Sequence, residues 1–467
     1  MSQTHLTLTG FHAIHANHLE DLRRAVVWIC RQHPVPPLAS ETFLVQSNGI
    51  AQWLKLALAE DPGSVEGGDT GGMGIAAGMN FLFPARFIWQ AYRAVLPSSE
   101  VPEQSPFDKS RLVWRLFRLL PGLIAQDDVF APLQRFMAGS DTETRRYQLA
   151  GKIADLFDQY QVFRADWLAD WEAGHDRLQL ARGEYRELGE ELRWQPVLWR
   201  KLVEDVGALA GTSRSRIHTR FMEVGQQLKA TDRPPDLPRR IVVFGVSSLP
   251  KQALEALSIL SRVSQVVLCV HNPSEFYWAD IISDRDLLNA DRRRGRSHPT
   301  LATLTDPDDL HQHANPLLAA WGKQGRDYIR LLDEFDNPEE YQGRVATPDG
   351  RIDIFTPHGD PQHPLLLHQV QNDIRALTSQ QEMLDQGRTL DPFRDDTIVL
   401  HNAHSPQREV EILHDQLLAA FNSNPDLRPR DMIVMVPDVD TYAPHIQAVF
   451  GRYPPSSRRH IPFTISD

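Results

Sequence analysis

Cysteine is nearly absent from this chain: Cys30 and Cys269 are the only two in 467 residues. That excludes a disulfide scaffold and a Cys-rich zinc module. Both lie far apart in apolar patterns and read as buried, inert thiols. Long apolar runs are also missing, and none approaches the ~18–20 residues of a membrane span. The first ten residues carry no Lys or Arg, so no signal peptide is visible and a cytoplasmic location is expected. Positive charge is in deficit, with 49 basic against 61 acidic residues and a net charge of -12. That argues against a generally sticky polyanion binder and leaves a local groove open. What is there is ordinary: 41% hydrophobic and 24% charged residues exclude a wholly disordered chain. At ~150 residues per domain the length suggests about three domains.

The chain reads as α/β. Asn17 is placed to cap a helix with a Leu19, Leu22, Val26, Ile29, Cys30 stripe that Pro34 ends. Thr42 to Gln46 reads as a short buried strand, Ser47-Asn48-Gly49 as a turn, and Ile50 to Glu60 as a helix. Asp61 to Gly78 holds seven glycines and reads as a flexible loop. From about Pro84 to Leu228 the pattern is helical, with stripes such as Leu149, Ile153, Leu156, Phe157 and Tyr160. No strand alternation is visible there, so an all-helical insertion is expected. Strands return at Ile241–Phe244 and Gln265–Val270, with a helix Ala253–Leu260 between them. This β-α-β unit implies a parallel sheet. Leu317–Phe335 and Leu365–Leu377 read as helical and Ile352–Phe355 as strand-like. After a linker at Gln386–Asp396 a second α/β series is expected: strands Thr397–His401 and Met432–Val436, helices Pro406–Phe421 and Tyr442–Phe450. Ser405 suits an N-cap and Pro406 the first helical position. Ile461 to Asp467 reads as an incoming strand of a domain cut in mid-course.

Most catalytic signatures fail on inspection. A P-loop needs glycines so that backbone N–H groups reach the phosphates, a Lys, and a Ser/Thr for magnesium. The strand-turn-helix segment Gln46-Ser47-Asn48-Gly49-Ile50-Ala51-Gln52 contains no Gly-Lys-Ser/Thr. Independent ATP hydrolysis is not expected. Gly245-Val246-Ser247-Ser248-Leu249 lacks the second glycine of a nucleophile elbow and reads as a plain βα turn. His401 with His404, and His311 with His313, lack the further ligands that tetrahedral zinc requires.

Asp155, Asp158 and Gln159 share one helical face by their i, i+3, i+4 spacing, and Arg164 follows just past it. A solvated face, the start of a metal site, and base readout all fit this pattern. Asp accepts from cytosine N4, Gln bonds adenine and Arg bonds guanine. Carboxylates repel phosphate, so under the last reading the face must look at bases. Basic residues cluster from Thr212 to Arg240, with Arg214, Arg216, Arg220, Lys229, Arg233, Arg239 and Arg240 against three acidic residues. Arg292, Arg293, Arg294 and Arg296 form a second cluster. Each is either a solvated run or the wall of a DNA channel.

Several stretches resemble the RecC family, the gamma subunits of exodeoxyribonuclease V (the RecBCD enzyme). They include Leu44-Val45-Gln46-Ser47-Asn48-Gly49-Ile50-Ala51-Gln52-Trp53-Leu54, Phe87-Ile88-Trp89 and Ala154-Asp155-Leu156-Phe157-Asp158-Gln159-Tyr160. Asn315-Pro316-Leu317-Leu318-Ala319-Ala320-Trp321-Gly322-Lys323, His404-Ser405-Pro406-Gln407-Arg408-Glu409-Val410-Glu411 and Pro462-Phe463-Thr464-Ile465-Ser466-Asp467 follow in the same order. The resemblance covers nearly the whole chain after its first ten residues. Family members are more than twice as long, so the chain resembles their N-terminal part.

The resemblance implies a superfamily 1 helicase-like fold that has lost its ATPase motifs. Residues 1–95 and 233–385 would form the first helicase-like domain, 1A. Residues 96–232 would be a helical insertion, 1B, and 386–467 the start of a second domain, 2A. It implies a non-catalytic subunit that holds RecB-like and RecD-like partners, helps split duplex DNA and scans the 3′-ended strand for Chi. ATP and magnesium would be used by the partners, with no cofactor in this chain. The family residues facing that strand fall on Gln46, Asn48, Gln52, Phe83, Trp89, Asp155, Leu156, Asp158, Gln159, Arg164 and Arg214. Base readout by the Asp155 face then becomes the favoured reading, with Phe83 and Trp89 offering stacking or apolar contact. Asn48 and Phe83 depart from the Thr and Leu of the family pattern, which leaves the preferred sequence free to differ from the best-known Chi. The rival readings are an active superfamily 1 helicase with a divergent nucleotide site and a pure interaction scaffold.

Overall fold

The computed structural model describes residues 9–61, 71–138, 142–180, 184–279, 281, 315–335, 352–360, 365–388 and 395–465. It divides into two compact units, Met1–His358 with Val370–Arg388, and Gly359–Gln369 with Thr389–Asp467.

Eight strands lie among the described residues of the first unit: β1 (Gly10–Ala16), β2 (Glu41–Val45), β3 (Met79–Leu82), β4 (Arg177–Gln179), β5 (Tyr185–Glu187), β6 (Arg240–Phe244), β7 (Gln265–His271) and β8 (Ile352–Ile354). Six of them form one sheet in the order β3-β2-β6-β7-β1-β8, and every pairing in it is parallel. The α/β expectation with a parallel sheet holds. Both faces of such a sheet are covered by crossover helices, so its strands are apolar on both sides. Strand β6 shows this: Ile241 and Val243 enter one core while Val242 and Phe244 enter the other. Helices α1 (Leu19–Gln32) and α2 (Asn48–Ala59) pack on the second face through Leu22, Val26, Leu54 and Leu58. Helix α3 (Pro84–Val95) covers the first.

Between α3 and β6 the chain leaves the sheet. Helices α4 (Lys109–Gln126), α5 (Ala131–Met137), α6 (Thr142–Phe163), α7 (Ala165–Glu172) and α8 (Trp194–Val206) build a separate core around Leu116, Phe157, Trp171 and Trp199. The insertion is not all-helical, because β4 and β5 pair antiparallel within it. Each has only three residues, and β5 is exposed throughout, so no alternation could reveal them. Helix α9 (Arg214–Gly225) then leads back to the sheet, and α10 (Lys251–Leu260) connects β6 to β7. Helices α11 (Pro316–Trp321) and α12 (Lys323–Asp333) replace the single expected helix and meet at Gly322.

Other expectations are corrected. Among the described residues the first element is strand β1, where buried His12 and His15 interrupt the apolar run. Asn17 does not cap α1: its amide donates to the Thr356 carbonyl at 2.8 Å and its oxygen accepts from the Thr356 N–H at 3.0 Å. It ties the end of β1 to the segment after β8 instead. Ser47-Asn48-Gly49 is no free turn, since Ser47 caps α2 by accepting from the Ile50 N–H at 3.2 Å. Residues 62–70 of the glycine-rich stretch lie outside the described residues, but its far end is docked on α2. There the Met73 N–H donates to the Leu58 carbonyl at 2.8 Å. A Cβ on Gly72 would stand 2.4 Å from the Glu60 carbonyl oxygen, so only glycine permits that approach.

Helix α13 (Leu366–Arg375) straddles the division between the units, α14 (Gln380–Asp385) lies in the first, and two further helices belong to the second. Helices α15 (Pro406–Ser423) and α16 (Val439–Phe450) pack through Val410, Val449 and Phe450. Ser405 caps α15 by accepting from the Arg408 N–H, with Pro406 at the first position. The strands expected at Thr397–His401 and Met432–Val436 do not form, nor do residues 461–465 join a ladder. Residues 466 and 467 lie outside the described residues. Leu400 is 93% and Met435 84% exposed. An apolar run signals capacity to pair, but a strand exists only where a neighbour supplies the other half of each hydrogen bond.

Candidate nucleic-acid interface

In an open parallel sheet the loops after the strands gather at the carboxyl edge, where ligands bind. Strand β2 ends there at Val45 and is followed by Gln46. Strand β6 ends at Phe244 and turns through Gly245, whose φ is +64°. A Cβ there would stand 2.8 Å from Ile50, which fixes glycine at this βα turn. The Gln46 side-chain oxygen lies 3.4 Å from the Ser247 N–H nitrogen and hydroxyl, joining the two loops. Between these loops, the first turns of α3, the end of α6 and the start of α9 lies a cleft of about 280 Å³. It spans sheet and insertion, and its walls are mostly apolar side chains.

The cleft brings together Gln46, Phe83, Trp89 and Arg214. Phe83 stands at the N-terminal boundary of α3 and is 47% exposed, so its ring is open to contact. Trp89 is half-buried, and its indole N–H is already donated to the Pro102 carbonyl at 3.2 Å. What Trp89 offers is therefore apolar ring surface. Asn48 and Gln52 sit exposed on the first turns of α2 and do not line the cleft. Asp155, Leu156, Asp158 and Gln159 lie on α6, whose opposite side sends Ile153 and Phe157 into the insertion core. Leu156 packs against that core as a half-buried residue.

Arg164 is engaged elsewhere. Its guanidinium donates to Asp166 at 3.1 and 2.8 Å, bonds the Gln179 carbonyl and stacks 3.8 Å over Trp167. It staples α7 to β4. Much of the basic run from Thr212 to Arg240 likewise has internal partners. Arg216 pairs with Glu172, Arg220 with Glu100 and Glu223, and Arg240 with Glu41, while Arg233 bonds the Leu237 carbonyl. The cluster Arg292–Arg296 and the His311–His313 pair lie outside the described residues.

Beside the cleft, charges of both signs interleave. Lys109 pairs with Asp155, and Arg214 with Asp108 at 3.3 Å. Asp158 stands among them, half-buried. Burial raises its pKa, Arg214 pulls it back, and Asp108 adds to the rise. Three carboxylates around two cations make a poor phosphate grip and a suitable partner for base edges. Among the described residues no group of three or more His, Cys, Asp or Glu side chains converges as a metal site, and no helix is long and apolar enough to cross a membrane.

The sequence reading missed Tyr92, Gln161, Ser248 and Gln252, which also line the cleft. They come from four separate elements, and no local spacing links them. Only Gln161 had a signal, lying three residues past Asp158 on the same helix.

The profile of the RecC N-terminal domain matches residues 11–377. The RecBCD enzyme subunit RecC of Escherichia coli K12 is 39% identical over 97% of this chain and 39% of its own length. The corresponding subunit of Haemophilus influenzae is 34% identical over 93% of this chain and 38% of its own. That of Mycobacterium tuberculosis H37Rv is 29% identical over 89% and 33%. The chain thus spans about two-fifths of the length of the first two of these curated relatives.

Proposed function

The chain belongs to the RecC family, and from that premise we propose that it serves a RecBCD-type helicase-nuclease as a non-catalytic, DNA-binding and scaffolding subunit. In this role it holds RecB-like and RecD-like partners during double-strand break repair and recombination. It helps split the duplex and reads the 3′-ended strand for a Chi-like sequence. The observation that carries the reading is the cleft at the carboxyl edge of the sheet. It joins the exposed Phe83 ring, the Trp89 face and the Arg214 cation, next to the mixed-charge face of Asp155 and Asp158. Aromatic surface stacks unpaired bases of any sequence, and carboxylates beside it add discrimination between base edges.

The helicase-like architecture, with 1–95 and 233–385 as domain 1A, 96–232 as 1B and 386–467 as the start of 2A, is part of this proposal. The segment after β2 supports the non-catalytic assignment, because Ser47-Asn48-Gly49 caps a helix where phosphate-binding would call for Gly-Lys-Ser/Thr. ATP and magnesium are then handled by the partners.

Photo-crosslinking of single-stranded DNA in the assembled complex tests the reading. Adducts at Phe83, Trp89 or the Arg214 region are expected. Their absence, with the complex intact, would favour a pure scaffold. Magnesium-ATP turnover by the chain alone, abolished by a point mutation within it, would instead favour the divergent helicase.

A further inference from the structure

Two polar side chains of the cleft are buried, and each carries an acceptor oxygen. Gln161 is 0% exposed; its amide nitrogen donates to the Phe107 carbonyl at 3.1 Å and its amide oxygen meets no partner. A carbonyl partner can only accept, so the amide orientation is fixed with the NH₂ on Phe107. Tyr92 is 4% exposed, and its hydroxyl lies 2.8 Å from His218 Nδ1. The other ring nitrogen of His218 lies 2.8 Å from the Glu255 carboxylate. That carboxylate accepts, which places a ring hydrogen on Nε2; in this singly protonated tautomer Nδ1 accepts the Tyr92 O–H. Burial also keeps the phenol protonated, by raising its pKa. The Glu255–His218–Tyr92 chain therefore spends the tyrosine's hydrogen inside the protein and leaves its oxygen lone pairs.

We propose that the inner wall of the cleft offers buried hydrogen-bond acceptors, the Gln161 amide oxygen and the Tyr92 hydroxyl oxygen, and that it takes a nucleobase bearing an exocyclic amine in preference to one without. This rests on the reading that the cleft holds single-stranded DNA. A buried acceptor left unpaired is costly, and a base that brings an N–H donor removes that cost. An unpaired polar group discriminates against a ligand lacking its counterpart far better than apolar contact does. The remaining polar lining residues, Gln46, Arg214, Ser248 and Gln252, are exposed or half-buried. Gln161 and Tyr92 are positioned as specificity determinants, with His218 and Glu255 acting through Tyr92.

The experiment measures binding of fluorescent oligonucleotides, about a dozen nucleotides long, to the intact protein. Two probe pairs differ by one amine each: guanine against hypoxanthine, and adenine against purine. In at least one pair the amine-bearing member should bind about fivefold tighter, the gain of one hydrogen bond. In Gln161→Met that preference should fall to within about twofold, with affinity for the amine-free member unchanged. Tyr92→Phe is the second variant should Gln161→Met fail to fold, and it should reduce the same preference. Equal binding within both pairs overturns the inference. If that occurs while Trp89→Ala still weakens both members alike, the DNA-binding reading stands without it. If the oligonucleotides do not bind, or bind independently of Trp89 and Arg214, both fall.

Discussion

Arg240 and Glu41 form an ion pair of 2.6 Å with side chains only 1% and 7% exposed. Each opens a strand, β6 and β2, and the same guanidinium also donates to Gln265, the first residue of β7, at 2.7 Å. One side chain thus fastens three neighbouring strands at the edge opposite the cleft. The pair joins residues 199 apart, and the helical insertion lies between them. It closes the sheet around the excursion.

Breaking that pair should be costly, because removal of one partner leaves a buried charge uncompensated. Arg240→Leu is expected to lower unfolding stability by about 3–5 kcal/mol. The double variant Glu41→Leu with Arg240→Leu should recover much of the loss, since replacing a whole buried pair by apolar groups is often nearly neutral. Urea titration of both variants checks this. A double variant as unstable as the single one would count against it.

The thiols report the same event. Cys30 and Cys269 are buried against the sheet, and burial pushes the Cys30 thiol up to about 12. Only thiolate reacts with alkylating agents. Iodoacetamide should therefore label neither thiol in the folded protein at neutral pH, and labelling should track unfolding. In Arg240→Leu it should accelerate by about a hundredfold or more, the equivalent of 3 kcal/mol. Rapid labelling of the native protein would contradict the prediction.

How much of this was legible beforehand follows from the kind of signal each element carries. Strands β2, β6 and β7 sit in the sheet interior, and their contiguous apolar runs announced them. Strand β1 is equally central, but His12 and His15 break its pattern, and nothing local shows that histidines are buried there. The runs at Ile398–Leu400 and Ile433–Met435 look the same on paper as β6, yet they join no strand ladder among the described residues and remain exposed. Within the site, residues clustered by helical spacing, such as Asp155 and Asp158, could be read directly. Tyr92, His218 and Glu255 come from three helices and meet only through packing. The basic run was legible as charge, but its carboxylate partners were not.

Arg164 illustrates the last point and gives a direct test. Its guanidinium is occupied by Asp166, the Gln179 carbonyl and the Trp167 ring. Arg164→Ala should lower stability by about 1–3 kcal/mol through these lost contacts, measurable by thermal unfolding without DNA. A variant of unchanged stability with impaired sequence recognition would restore Arg164 to the interface.

Asp158 should leave a pH signature. Burial is the largest cause of its raised pKa, so as pH falls the folded state takes up the proton before the unfolded chain does. The stabilisation linked to that proton is complete below the ordinary carboxylate pKa and is lost as pH rises through the raised one. Asp158→Asn mimics the neutral form at every pH. Its stability should exceed the native chain's near pH 7, and the two should converge towards about pH 4. Urea midpoints across that range decide it, and parallel curves would refute the assignment.

Within the assembled complex, Asp158→Ala and Gln52→Ala should change how the enzyme responds to its recognition sequence more than how fast it unwinds. Contacts to phosphate supply affinity uniformly, whereas contacts to base edges distinguish sequences. Asp158 stands in a mixed-charge face unsuited to holding phosphate, and Gln52 is an exposed, uncharged side chain on α2. Each lost base contact is worth about 1–3 kcal/mol of discrimination, enough to reduce recognition at least fivefold. Unwinding of DNA without the sequence should stay within about twofold of normal, because neither residue supplies a phosphate contact. The comparison is made on two substrates identical except for the recognition sequence. If both are unwound more slowly to the same degree, these side chains serve translocation or assembly rather than readout.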